Sequence, residues 1–382
     1  MSIFTLIYII KNKDYKYLKN KYVIFFLAFY FYLILNSLLI NTNFDSIKIS
    51  VTYIRYGLFV ISIIYILNTQ SNLLTSLYKI YLLCFLLLIF DGFYQFFSGF
   101  NIFGFPLSNG PRVSSFFNDE LILGSYLARS FPIFFGLMIY HYNKLNNFYY
   151  FFSCFVFVFS EVLVFLSGER AAFFYMNLSS IFILFAIKDF KMIRFATFIL
   201  SILMIIMISI SFPNSKKRII DYSLTQMHLK KGSEKILIFS KQHNDLYETA
   251  INIYKDNKIL GVGVKNFRNF CDKDKYKVSI FSCNIHPHNT YIQIISELGL
   301  IGITFITFLF CYFLKYTFIQ FKRLIFGSYY FTDFEICLMS SFLIFLWPIV
   351  PTGNFFNNWL NIISYYPLGI FFWSILKRNK QY

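Results

Sequence analysis

The segment Asn284-Ile285-His286-Pro287-His288-Asn289-Thr290-Tyr291 gathers the side chains best suited to proton chemistry. An imidazole titrates near neutral pH and can take a proton from a hydroxyl. Pro287 biases His286 toward an extended backbone. His288 then falls at the mouth of the next apolar run, with Asn289 or Thr290 able to cap a helix there. The plainer reading makes both histidines hydrogen-bonded loop residues at an interface. Three arginines are candidates for holding an anion: Arg112, Arg170 in Ser167-Gly168-Glu169-Arg170, and Arg268. A guanidinium stays charged and presents a planar fork to phosphate oxygens.

The elements that must position these residues are set by composition. The chain has 382 residues, 57% hydrophobic and 14% charged, with a mean hydropathy of +0.58. A soluble domain carries about 25% charged residues, so this chain cannot build a fully polar surface. The expected class is all-α polytopic membrane protein. Runs long enough for a bilayer lie near 22–40, 54–68, 76–98, 121–141, 148–166, 172–187, 195–212, 290–314, 334–350 and 359–376. Ile3–Ile10 is too short to span, and it lacks the basic start and cleavage site of a signal peptide.

A net charge of +17 would suggest nucleic acid in a soluble protein. Here the Lys and Arg residues fall mainly in alternate connections, as the positive-inside rule requires of cytoplasmic loops. Both termini are therefore expected in the cytoplasm, and no nucleic-acid partner is expected. Residues 1–212 form the first group of membrane helices, 213–289 a large outer loop, and 290–382 the last helices. The loop is basic too, but long loops cross largely regardless of charge. Helical patches are expected near 234–242 and 245–257, followed by a turn at Gly261 and Gly263.

Asp91, Arg129 and Glu297 lie within apolar runs, where an ionised group is costly unless paired or hydrated. Glu297 falls about two turns beyond His288, so it could share its face. Structural ion pairing is the competing reading. Cys271 and Cys283 flank a short stretch ahead of the histidines and suit a disulfide outside the cytoplasm. A rival reading takes them with His286 and His288 as zinc ligands, although the cysteine spacing is wide for zinc. Cys84, Cys154, Cys311 and Cys337 fall in spans and read as small apolar residues.

The spacing from His288 carries a resemblance. His288-Asn289, nine residues, Gly299, two residues and Gly302 is similar to the signature of the O-antigen ligase and O-antigen polymerase superfamily. Gly261-Val262-Gly263-Val264-Lys265-Asn266-Phe267, Ser167-Gly168-Glu169-Arg170 and Arg112-Val113-Ser114-Ser115-Phe116-Phe117 also resemble family segments. The likeness covers roughly residues 90–320. Ten spans is fewer than usual there, which implies a chain shortened at its start.

The resemblance implies a multi-pass protein of the bacterial inner membrane, with the large loop periplasmic. The donor would be a glycan on undecaprenyl pyrophosphate, and no cofactor or metal would be needed. His288 would serve as catalytic base. Arg170, Arg268 and Arg112 would hold the pyrophosphate, with His286, Asn289 and Glu297 also contacting substrate. The acceptor would be a lipid A–core sugar for a ligase, or a second lipid-linked glycan for a polymerase. A transporter of lipid-linked glycan is the alternative from another class. It would gather its polar residues at the midplane, often in two related halves, whereas here they gather in outward loops.

Overall fold

Apolar runs interrupted by Asn, Pro, Gly and basic residues give the helices their ends. The computed structural model describes residues 2–40, 43–70, 72–108, 111–226 and 239–379. The principal helices are α1 (Ser2–Lys11), α2 (Lys21–Ile40), α3 (Phe44–Thr52), α4 (Ile54–Thr69), α5 (Leu73–Ser98), α6 (Leu123–His141), α7 (Asn147–Leu166), α8 (Arg170–Ala186), α9 (Lys191–Ser211), α10 (Lys241–Asp256), α11 (Thr290–Ile325), α12 (Asp333–Leu346) and α13 (Asn358–Arg378). Asn146 and Asn357 start α7 and α13 by accepting from the N–H groups of Tyr149 and Leu360, the ordinary work of an N-cap. Gly99 ends α5 with φ at 86°, a left-handed cap that glycine adopts without strain.

Among the described residues, seven helical stretches are long and apolar enough to cross a membrane. The expected span at 54–68 is the second part of one such stretch, Phe44–Thr69. The expected spans at 121–141, 172–187 and 334–350 are also helical, but shorter or more polar. α12 stops at Leu346, just ahead of Pro348, which lacks the N–H that a continuing helix would use. The patch expected near 234–242 lies mostly outside the described residues. The one near 245–257 is the body of α10.

Contacts group the chain into two units. The first comprises Met1–Thr69, Lys235–Lys315 and Leu346–Tyr382; the second comprises Gln70–Glu234 and Tyr316–Phe345. The stretch 213–289 is therefore divided between them. In the first unit α4 packs along α13. Gly369 lets the backbones approach, since a Cβ there would stand 2.7 Å from Cβ of Ile63. Tyr53, Tyr56 and Tyr365 close the contact, with the Tyr56 and Tyr365 rings stacked at 5.4 Å.

In the second unit Phe131, Phe134, Phe135 and Phe157 form the centre between α6 and α7. Two buried polar clusters accompany them. Glu161, on α7, pairs with Arg194 and takes hydroxyl hydrogen bonds from Ser180 and Ser201. Removing one partner of a buried pair of this kind would leave an uncompensated charge. Asp91, on α5, accepts from Ser115 Oγ at 2.5 Å and from the N–H of Ile102 at 3.0 Å. Gln95, one turn on, accepts from the N–H groups of Ser114 and Ser115. These anchors hold the loop that carries Arg112.

Candidate active site

The signature glycines solve a backbone problem. Gly299 interrupts α11 with φ 64° and ψ −160°, which strips helical partners from the carbonyls before it and the N–H groups after it. Five of the freed groups find substitutes in the loop 258–263 or on α2. Val262 N donates to Ser296 O at 3.1 Å and Gly263 N to Glu297 O at 2.8 Å. Leu300 N donates to Lys258 O at 2.8 Å and Ile301 N to Ile259 O at 3.4 Å. Tyr32 Oη donates to Leu298 O, and Asn36 Nδ2 to Leu260 O at 2.6 Å. Broken helices survive in apolar surroundings only when such groups are satisfied.

The approach this requires leaves no room for side chains. A Cβ on Gly299 would meet Ile259 O at 2.3 Å, and one on Gly261 would meet the carbonyl carbon of Glu297 at 2.4 Å. Glu297 completes the junction. Its carboxylate is fully buried and accepts from Lys265 N at 3.1 Å, Phe267 N at 3.2 Å and Gln293 Nε2 at 3.0 Å. These bonds tie the Glu297 carboxylate to the main chain of Lys265 and Phe267 and to Gln293.

Asn289 is also held by main chain. Its Oδ1 caps α11 by accepting from Tyr291 N at 2.9 Å and Ile292 N at 3.1 Å, while its Nδ2 donates to Pro348 O at 2.7 Å. Both ends of the amide are engaged, which fixes the helix start beside His288. The segment 348–354 locks the motif further. Thr352 N donates to His288 O at 2.7 Å, and Thr352 O accepts from His286 Nε2 at 3.4 Å.

His288 has φ at 56°, a left-handed conformation that a non-glycine residue holds only when its surroundings dictate it. Its Nε2 lies 3.2 Å from Asn284 Nδ2. Asn284 Oδ1 is occupied by the N–H of Ile285 at 2.7 Å, which fixes the amide orientation. An amide NH2 can only donate, so His288 Nε2 accepts and the ring proton resides on Nδ1. Burial also holds the imidazolium form of His288 down from its ordinary range. The result is a half-buried neutral imidazole with a directed lone pair. A hydroxyl that displaces the Asn284 amide meets that lone pair.

Two further imidazoles adjoin it. The His286 ring lies 4.2 Å from that of His288. It is pushed down to about 4 by burial first, then by His288, Arg268 and Lys265. His286 Nδ1 is buried without a partner. His243 of α10 stands edge to face with His288 at 5.7 Å. Lys265, another left-handed residue, is lowered by burial and by Arg268, and Arg268 is exposed. Cys271 and Cys283 form a disulfide that ends one residue before Asn284. Both sulfurs are thereby used, so neither offers a thiolate to zinc.

Arg112 and Arg170 belong to the second unit, where they form a separate cationic centre. Arg112 donates from Nε to Ser167 O at 2.9 Å, and Arg170 donates to Gln226 Oε1. Gly168, with φ at 67°, lies between two arginine stems. A Cβ there would be 3.0 Å from Cγ of Arg218 and 3.1 Å from Cγ of Arg112. Arg218 Nε is buried without a hydrogen-bond partner. Burial first, then Arg218 and Arg170, hold Arg112 below the usual guanidinium range. Arg218 escapes sequence reasoning because it stands among several basic loop residues with no distinguishing spacing. Its π-helical turn, Lys217–Asp221, is a structural signal instead, since such turns recur at functional sites.

Glu169 balances this centre. Its carboxylate accepts from Gly124 N at 2.7 Å and Ser125 N at 3.0 Å, at the start of α6. Burial pushes it up to about 7, against the pull of those N–H groups and of Arg112 and Arg129. Arg129 sits over the Tyr175 ring at 5.4 Å. Arg112 and Arg129 act on this carboxylate, while Arg218 and Arg170 act on Arg112, which leaves a surplus of positive charge suited to an anion.

Residues 155–307 match the family model described as O-antigen ligase. That segment contains Arg170, Arg218, Arg268, His288 and both signature glycines, whereas Arg112 precedes it. No curated protein matches the chain.

Proposed function

We propose, from the match of residues 155–307 to the family model described as O-antigen ligase, that the chain is a glycosyltransferase using a polyprenyl-pyrophosphate donor. The glycan moves from undecaprenyl pyrophosphate to a sugar hydroxyl at the periplasmic face of the inner membrane. Lipid A–core is the preferred acceptor, without a metal or other cofactor. The carrying observation is His288: a neutral imidazole whose Nε2 lone pair is oriented by Asn284.

The proton of the acceptor hydroxyl passes to His288 Nε2 as its oxygen bonds to the anomeric carbon. The bond from that carbon to the pyrophosphate oxygen breaks, and undecaprenyl pyrophosphate departs with the electron pair. A positioned general base contributes about 10²–10⁴-fold. Stabilising charge on the leaving group is a separate requirement of comparable or larger size. Arg268, which acts on His286, is the cation the first unit offers for it; the second unit offers Arg112, Arg170 and Arg218 as a candidate anion site.

Membranes carrying the chain, supplied with lipid-linked glycan and acceptor, test the reading. His288→Ala should insert normally and lose transfer by at least two orders of magnitude; near-normal transfer overturns the assignment. Deleting the gene tests the acceptor. Loss of all glycan from lipid A–core supports ligase activity. A single repeat left attached replaces it with the polymerase reading.

A further inference from the structure

We propose that His286 is the positioning partner of the base: once Nε2 of His288 has taken the acceptor's proton, the His288 ring turns its Nδ1–H onto the Nδ1 lone pair of His286. The inference rests on the reading of His288 as the base and adds the group that stabilises its charged form.

The two tautomers are complementary. A carbonyl oxygen can only accept, so His286 carries its ring proton on Nε2, which donates to Thr352 O at 3.4 Å. Its Nδ1 is therefore a lone pair. His288 has the opposite arrangement, with Nε2 accepting from Asn284 and the proton on Nδ1. The ring centroids stand 4.2 Å apart at an interplanar angle of 48°. An acceptor on one ring thus adjoins a donor on the other, and neither has a hydrogen-bond partner among the described residues. His286 is only 5% exposed, and a buried polar atom left unsatisfied is costly.

The frame around the pair is fixed. Thr352 serves both histidines: its N–H donates to His288 O at 2.7 Å, and its carbonyl accepts from His286. Pro287 between them has its own φ locked by its ring. The His288 side chain is held by the Asn284 amide, and protonation breaks that contact, because both nitrogens of an imidazolium donate. The ring is then free to turn.

The protons balance without a second transfer. The acceptor's proton bonds to Nε2, while the Nδ1 proton stays on His288 and is shared with His286. A hydrogen bond made to the charged form favours that form. His286 remains a neutral acceptor, because burial first, then His288, Arg268 and Lys265, hold it down to about 4. His243 faces His288 from α10 at 5.7 Å. A base oriented by a third group is the general logic of activated nucleophiles.

The full-length protein in lipid nanodiscs, labelled with nitrogen-15 on its five histidines, should be titrated by NMR as wild type, His286→Phe and His286→Asn. Phe keeps a ring and removes the lone pair; Asn places an amide oxygen near the Nδ1 position. In the Phe variant the His288 midpoint should move down by about 1 to 2 pH units, and transfer should fall by about 10-fold to 100-fold. The acid limb of the pH–rate profile should move down with the midpoint, and Asn should restore most of both. A midpoint unmoved by Phe, or moved equally by Phe and Asn, overturns the proposal, whatever happens to stability. Should Phe fail to fold, wild type decides: below the His288 midpoint a coupling across the hydrogen bond should link the two Nδ1 nitrogens, and its absence overturns the proposal. Failure of the function reading looks different, since His288→Ala would then retain transfer while the wild-type coupling remained.

Discussion

Asn284 donates to Nε2 of His288 at 3.2 Å while its own oxygen is held by the N–H of Ile285. With the amide so oriented, the contact favours the His288 tautomer that carries its proton on Nδ1. Asn284→Ala removes one neutral hydrogen bond, worth about 1 kcal/mol net. Transfer should fall by roughly 5-fold, visible in single-turnover rates with the protein otherwise intact. Asn284→Asp should instead stabilise the imidazolium, because an anion favours the charged form of a neighbour. Its acid limb should move to higher pH, and an unmoved limb would count against the hydrogen bond as drawn.

The pH dependence of wild type has a definite sign. His288 acts as a base only when neutral, and burial lowers its proton affinity. Activity should therefore be retained down to pH values below the ordinary histidine range, about 6.5, and fall on further acidification. His286, at about 4 when folded, affects stability. Between about 4 and the ordinary value of about 6.5 the unfolded chain binds more protons than the folded one, so stability falls as pH falls through that window. His286→Phe should flatten that fall in thermal unfolding curves, provided the ring is accommodated.

The crossing of the loop 258–263 and α11 tolerates no side chain at its two contact points. Gly299→Ala places a Cβ 2.3 Å from Ile259 O at a φ of 64°. That backbone conformation, essentially confined to glycine, alone costs about 1–3 kcal/mol, and the collision adds to it. Gly261→Ala meets the Glu297 backbone from the other side. Each variant should show a lowered unfolding temperature and reduced transfer. Wild-type stability in both would mean the crossing is absent.

The Cys271–Cys283 disulfide closes a loop of sequence separation 12. By loop entropy a closure of this size is worth about 3 kcal/mol. The double serine variant should lose stability of that order and part of its transfer activity, since Asn284 follows directly. Peptide mass mapping with and without reductant checks the bond itself.

Arg218 shares Gly168 with Arg112 and should behave as part of the same anion site. A hydrogen bond to a charged group is worth about 1.5–3 kcal/mol. Arg218→Ala should therefore weaken donor use by about 10-fold to 100-fold, read as kcat/KM for the lipid-linked donor. Arg218→Lys should restore little, because a point charge does not reproduce the planar fork. Arg112→Ala adds the loss of its bond to Ser167 O, so reduced stability should accompany reduced transfer there.

The sequence by itself determined the class of this protein and pointed to the segment that carries the candidate site. A chain so poor in charge cannot cover itself with polar surface, and apolar runs of bilayer length then have to be helices. Helix starts at Asn146 and Asn357 and the stop before Pro348 follow from local hydrogen-bonding chemistry. The His288–Asn289 pair and its two glycines were legible too, because their spacing lies along a single helix.

The tertiary structure alone decided how those parts are used. Gly299 matters because Gly261, 38 residues earlier in sequence, brings main chain against main chain there. No one-dimensional pattern encodes such an approach. The same crossing turns Glu297 inward onto the N–H groups of Lys265 and Phe267, although helical spacing alone allowed it to face the site. Asn289 is consumed by a cap and by Pro348. Asn284 and Arg218 carry no distinctive spacing. They acquire roles from what folding sets beside them: one oriented imidazole, and a glycine small enough for two arginines.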